Sequence, residues 1–238
     1  MPGPDKFASP TITLHVSPSK PSFFLSTAVI ICLAFSGAAL IRWWAATPDD
    51  EVIADPEHIP SRRLHRTIRV NARRELAPDT MVVTALLKDE VVGVAVWNIP
   101  KRLWRTETVM QSVYRRLVGV KDAIEDLVWP ISWYRTDVKE MYYKKVAESM
   151  ERILGPEYQS NTWYLSLLAV HPTFQRKGVG SALVDWALKQ ARDNGERVYV
   201  EATQEAKSFY LAKGFTEVEE LVFANNAVII TCMFSPAP

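Results

Sequence analysis

The sequence predicts one α/β domain built on a mixed sheet, and three observations carry the prediction. Runs that are β-branched, alternating or continuously apolar recur from Thr11 to Phe234, as strands require. Helical runs alternate with them, in the order strand, helix, helix, strand, strand, helical insertion, strand, helix, strand, helix, strand, strand. A length of 238 residues suits one substantial core, or a core with one large insertion. Hydrophobic residues make up 48% and charged residues 23%, a soluble globular mixture. The formal net charge of +1 creates no overall field towards nucleic acid, a membrane surface or an acidic substrate, so no nucleic-acid partner is expected.

Residues 1–10 hold three prolines and a glycine and are expected to be disordered; the domain proper runs over 11–238. TITLHV (Thr11 to Val16) alternates and reads as a short strand. The next segment, SFFLSTAVIICLAFSGAALI (Ser22 to Ile41), carries no charge over about the 20 residues that a bilayer span needs. It is either a membrane span, or a buried helix and the loop after it. Ser22, Ser26 and Thr27 cluster on a helical wheel, and Ser36-Gly37 reads as a stop that leaves the helix too short to span. Asp49 to Pro60 is an acidic, Pro-rich loop. In Ser61 to Leu76, Leu64, Ile68 and Val70 to Ala72 share one side and the arginines lie elsewhere. That pattern predicts an amphipathic helix with its basic residues in water rather than on nucleic acid.

Thr80 to Leu87 and Val91 to Ile99 are strands joined by a hairpin turn at Lys88-Asp89-Glu90. The stretch 101–160 is helical and rich in aromatics, with Trp104, Tyr114, Trp129, Trp133, Tyr134, Tyr142 and Tyr143. These could wall a pocket or form the insertion's own core. WYLSLLAV (Trp163 to Val170) is nearly continuous in apolar residues, as a strand covered on both faces would be. A helix from Val179 to Asp193 ends at Asn194-Gly195. Strand Arg197 to Thr203, a short helix from Gln204 and two last strands complete the sheet. Cys32 and Cys232, both in apolar runs, make neither a disulfide framework nor a metal site and read as buried thiols. With no signal-peptide architecture, a reducing, cytoplasmic setting is expected.

HPTFQRKGVGSAL (His171 to Leu183) carries the chemistry. A helix start leaves about four backbone N–H groups unpaired, and the dipole adds about half a positive charge. Gly178 and Gly180 permit a tight turn and a close approach, while Arg176 and Lys177 add charge, so a phosphate or pyrophosphate fits. It is not a dinucleotide fingerprint, since Leu183 stands where a third glycine belongs, nor a Walker loop.

Gln175-Arg176-Lys177-Gly178-Val179-Gly180 is similar to the Q/R-x-x-G-x-G/A motif of the GNAT acetyltransferase superfamily. An apolar strand and His-Pro precede it. KSFYLAKGF (Lys207 to Phe215) looks like that family's F-Y-x-x-x-G-F segment. The resemblance is firm from Trp163 to Phe223 and weaker over Thr80 to Ile99. AFSGAALIRWW is suggestive of the end of the first helix in fungal-type members. A GNAT-like fold implies a mixed, mostly antiparallel sheet flanked by helices, with 101–160 inserted between the third and fourth strands as a lid on the acceptor site. A membrane span over 22–41 would separate the first strand from this sheet, so a buried helix is expected.

The resemblance further implies acetyl-CoA as acetyl donor, no metal, and direct attack by a small amine in a ternary complex. Amides of Gln175, Arg176, Lys177, Gly178, Val179, Gly180 and Ser181 would bind the pyrophosphate. The main chain of Leu168, Ala169 and Val170 would pair with pantetheine, and the Leu168 N–H would polarise the thioester carbonyl. Tyr210 corresponds to the general acid. Thr203 stands where the family often has a cofactor-bonding Asn, and Ala206 would leave room for pantetheine. The base is missing from the fourth strand, where Ser166 cannot replace a carboxylate. Glu201 and Glu205 are expected to be exposed, and His171 to be structural. A binding module without turnover, or an enzyme acting on a protein or peptide, are the alternatives.

Overall fold

Two residues with left-handed backbone, Lys88 (φ 51°) and Asp89 (φ 65°), close the hairpin around which the sheet is organised. A turn of that hand matches strand twist. It pairs β2 (Thr80–Leu87) with β3 (Glu90–Asn98) antiparallel, Leu87 opposite Glu90. The computed structural model describes residues 11–17, 23–35, 38–44, 61–128, 135–156 and 160–236. Expectations for residues 1–10, Ser22, the Ser36-Gly37 stop, the loop to Pro60, and Trp129, Trp133 and Tyr134 lie outside them.

β1 (Ile12–Val16) adds to the free edge of β2, and β4 (Thr162–Val170) pairs antiparallel with β3. β5 (Arg197–Thr203) runs parallel to β4. β7 (Val228–Phe234) lies between β5 and β6 (Thr216–Phe223), antiparallel to both. The order is β1-β2-β3-β4-β5-β7-β6, so the sheet is mixed but mostly antiparallel, as expected.

The strands' period of two sends alternate residues to opposite faces. On one face Val83, Ala85, Ala95, Trp97, Val198 and Val200 pack against α6 (Val179–Asp193) and α7 (Gln204–Leu211). On the other, Val82, Val94 and Val96 meet Ile30 of α1 (Phe23–Ala34). The uncharged run from Ser22 to Ile41 is therefore not one span. It breaks into the 12-residue α1, buried between sheet and α3 (Ser61–Leu76), and the short α2 (Ala39–Trp44). No helix among the described residues is long and apolar enough to cross a membrane. Cys32 and Cys232 are free and buried.

The insertion forms two helices, α4 (Val109–Val128) and α5 (Thr136–Leu154). It changes the expected role of α3, whose arginines do not all face water. Arg63 is 8% exposed. Arg69 bonds Glu125 Oε2 at 2.7 Å and pairs with Asp126 and Asp122, all on α4. Arg73 also reaches Asp122, at 3.7 Å, and keeps an exposed side chain. The physical reason is that α3 lies between the sheet side and α4, so its long side chains bury their stems and find carboxylates there.

The insertion's first residues are tied down at Glu196, just before β5. Both Glu196 oxygens accept from Arg102, at 2.6 and 2.7 Å, and Trp163 Nε1 donates to the same carboxylate at 2.8 Å. Glu196 is only 6% exposed. Glu196→Ala leaves the buried Trp163 N–H without its acceptor and frees the exposed Arg102, and is expected to cost about 2 kcal/mol of stability, read from the midpoint of urea unfolding.

Gly93 of β3 positions α6. A Cβ there would fall 2.8 Å from Val179 Cγ1 and 3.3 Å from the Ala169 carbonyl, so only glycine lets the first turn of α6 sit so close to β3 and β4.

Candidate active site

β4 and β5 diverge, and the site lies where they part. Their parallel pairing runs from Thr162 opposite Arg197 to Leu165 opposite Val200 and ends there. Beyond it β4 stays with β3, through Ala95–Leu168, Val94–Ala169 and Gly93–Val170, while β5 follows β7. The His171 amide donates to the Val92 carbonyl at 3.0 Å, across to β3. Amides alternate along an antiparallel strand, so Ala169 also faces β3, and the N–H groups of Leu168 and Val170 point into the gap. Consistent with that, the Val170 carbonyl accepts from Gln175 Nε2 at 3.3 Å on the gap side.

At the mouth of the gap stands the start of α6. Gly178 is its N-cap, with φ 84° in the left-handed region, and Arg176 before it has φ 61°. No side chain caps the helix, and the Ala182 amide bonds back to the Gly178 carbonyl at 2.9 Å. The amides of the first turn are thus left for an anion, with the dipole behind them. Glycine's conformational freedom is needed at Gly178. At Gly180 a Cβ would meet only ordinary contacts, 3.7 Å from Val170, 3.8 Å from Phe209 and 4.0 Å from Leu168. Gln175, Arg176 and Lys177 are exposed, Ser181 is half-buried and Val179 is buried against the sheet. Lys177 Nζ lies 5.3 Å from the centre of the Phe174 ring. His171 is structural, its Nδ1 held at 2.8 Å from Thr173 Oγ1.

Behind Leu168 opens a cavity of about 660 Å³. Leu168, Thr203, Ala206 and Tyr210 line one end of it, bringing together from three elements four residues that the family pattern names. Ala169 and Val170 are not in its wall. Thr203 is the N-cap of α7, yet its side chain makes no capping bond, which leaves the hydroxyl available. Tyr210 is 5% exposed, its ring against Phe209 and Phe215 at 5.0 and 5.4 Å. Its hydroxyl has no hydrogen-bond partner among the described residues. Burial pushes the phenol above its ordinary value, so it stays protonated at neutral pH.

Tyr164, Ser166 and Glu201 also line the cavity. Here the expectation of an exposed Glu201 is overturned, whereas Glu205 is exposed as anticipated. Tyr164 donates to Glu201 Oε2 at 3.1 Å and Tyr199 to Oε1 at 3.3 Å. Burial raises the Glu201 carboxyl from 4.5 to about 7, outweighing the two phenol hydrogen bonds that lower it. Sequence reasoning missed this residue, although a signal existed. Val198, Val200 and Ala202 of β5 enter the α6–α7 core, so Tyr199, Glu201 and Thr203 share the opposite face. Ser166 donates to the Val96 carbonyl at 3.1 Å and is no base.

Much of the rest of the wall comes from α1, α2, α3 and α5, with Trp44, Arg63, Arg66, Arg74, Tyr142 and Tyr143 among the residues. Of the insertion's aromatics, Tyr142 and Tyr143 belong to the pocket, while Trp104 and Tyr114 are exposed at 37% and 57%.

Residues 120–233 match the family model for the acetyltransferase (GNAT) domain. No curated protein matches the chain. Among solved structures, one described as histone acetyltransferase HPA2 and related acetyltransferase, from Corynebacterium glutamicum, is similar over 94% of this chain and 97% of its own. Its identity is 18% and its TM-score 0.55. A second acetyltransferase covers 94% of this chain and 100% of its own, at 14% identity and a TM-score of 0.53. With the divergent β4–β5 pair and the uncapped α6 start, these matches identify the architecture as the GNAT acetyltransferase fold, with the domain's sequence pattern running through residues 120–233.

Proposed function

We propose that the protein is an acetyl-CoA-dependent N-acetyltransferase that acts on the amine of a small molecule by direct attack in a ternary complex, in a reducing, cytoplasmic setting. The observation that carries this reading is one cavity containing the gap-facing Leu168, the Tyr210 hydroxyl and a carboxyl group poised near pH 7. The residues present fit the donor: an uncapped helix start behind the left-handed Gly178 for a pyrophosphate, and an open strand edge for the amide-bearing arm.

When bound, acetyl-CoA supplies an activated acetyl thioester. The amides from Gln175 to Ser181 hold its anionic part, and the Leu168, Ala169 and Val170 segment aligns the arm, with Thr203 and Ala206 at its side. The Leu168 N–H donates to the carbonyl oxygen as that oxygen gains charge. Glu201 takes the proton that an ammonium acceptor must lose, a task suited to a base with a pKa near the working pH. As the C–N bond forms and the C–S bond breaks, Tyr210 gives its hydroxyl proton to the departing sulfur, and the phenolate regains a proton as the nitrogen sheds its second one to become the amide. The size of the cavity suits a small molecule.

The alternative is a binding module without turnover; the Glu201 carboxyl in the cavity supports the enzyme reading. Tyr210→Phe separates the two. An enzyme is expected to lose about a hundredfold in kcat while keeping its affinity for CoA, measured by CoA release and by calorimetry. A pure binding module has no turnover to lose.

A further inference from the structure

We propose that the acceptor carries, besides its amine, an oxyanion, a carboxylate or phosphate, and that Arg74 receives it. The inference rests on the acetyltransferase reading and names the substrate class of that same site.

Arg74 comes from α3 and lines the cavity. Its guanidinium has five donors. Among the described residues it makes one hydrogen bond, from Nη1 to Asn71 Oδ1 at 3.3 Å on its own helix. Its neighbours Arg69 and Arg73 both reach carboxylates of α4. Among the described residues no carboxylate pairs with Arg74. The groups that act on it are the Tyr143 and Tyr164 phenols, and burial pulls the guanidinium below its ordinary value. A half-buried guanidinium with a single hydrogen bond among the described residues, lining open volume, is an arrangement that an anionic ligand completes.

Arg74 is not the counterion of Glu201. The influences on Glu201 are burial and the Tyr164 and Tyr199 phenols, with no arginine among them. Tyr164 nevertheless bonds Glu201 and lies within electrostatic reach of Arg74, so the cation and the base flank one phenol. Glu201 is the one carboxylate among the described lining residues. The cavity therefore offers a base at one point and the Arg74 guanidinium at another. It fits a molecule that carries both an amine and an anion. A guanidinium also matches the planar fork of a carboxylate, or phosphate oxygens, through paired N–H groups.

The test measures binding separately from turnover. The CoA-loaded protein is titrated with the common amino acids against their carboxamides, and with ethanolamine phosphate against ethanolamine, by calorimetry and thermal shift. The expected result is that an anionic amine binds at least about tenfold more tightly than its neutral counterpart, and that Arg74→Gln erases the difference. Arg74→Lys should restore part of it, and CoA affinity should be the same in all three proteins, which separates lost recognition from misfolding. A carboxylate-only or phosphate-only preference identifies which oxyanion is used. Equal binding of anionic and neutral partners, no binding of any anionic amine, or a preference that survives in Arg74→Gln would overturn the inference. Absence of acetylation despite Arg74-dependent binding would count against the acetyltransferase reading alone.

Discussion

Glu201→Gln is expected to lower kcat/KM for amine acetylation by about a thousandfold at pH 8, within the usual range for removing a general base. Glutamine keeps the shape; its amide oxygen still accepts from one of the two phenols, Tyr164 or Tyr199, while its NH2 group donates to the oxygen of the other, so the loss is of proton acceptance and not of packing. The pH profile gives a sharper reading. A base works ionised, so the wild-type rate should climb with pH through about 7 and level off above it. In Glu201→Gln that rising limb should vanish, leaving a slow rate with a different pH dependence. An unchanged limb in the variant would remove Glu201 from the chemistry.

The same shift predicts a stability effect of the opposite sense. The folded carboxyl titrates near 7 and the unfolded one near 4.5, so between those values the folded state binds more protons. Stability from this group is full below about 4.5, falls as pH rises to about 7, and is lower by about 3 kcal/mol above it. Glu201→Gln should therefore raise Tm at pH 8 and leave it nearly unchanged at pH 4. A variant that is more stable yet inactive is what a buried catalytic group predicts.

Gly178→Glu is expected to weaken CoA binding by at least about a hundredfold, measured by calorimetry. Two causes combine. At φ 84° a side chain costs about 1–2 kcal/mol, so the turn relaxes away from the cradle geometry. The new carboxylate also lies beside the first amides of α6, where it competes for them and repels an incoming diphosphate. Apart from the flanking residues, nothing among the described residues lies within 4 Å of the added Cβ, so the core is not crowded and the fold should survive. Affinity retained in this variant would move the nucleotide site elsewhere.

The most legible parts were those whose signal is local. The hairpin at Lys88-Asp89, helix α3 and strands β2 and β5 fall at or within a residue of the expected positions, because alternation and turn chemistry are properties of consecutive residues. The Gly178 turn was equally legible, since a left-handed residue before an apolar helix leaves its mark in a few letters. Less of the acceptor half was readable. Trp104 and Tyr142 look alike in a sequence, yet one is largely outside and the other lines the cavity. The basic face of α3 looked solvated because periodicity records which residues are apolar, and not what lies opposite the polar ones.

Read alone, then, the chain determined the order of its strands and helices, the glycine turn at 175–181 that opens a helix, and the candidacy of Tyr210. Tertiary structure decided what sequence spacing cannot encode: that β4 and β5 separate after Leu165, that Glu201 turns inward between two phenols, and that Arg74 lines the same cavity with no carboxylate beside it among the described residues. The physical reason is that a side chain's charge state and partners depend on the dielectric and donors around it. For these residues, those surroundings come from elements tens of residues away along the chain.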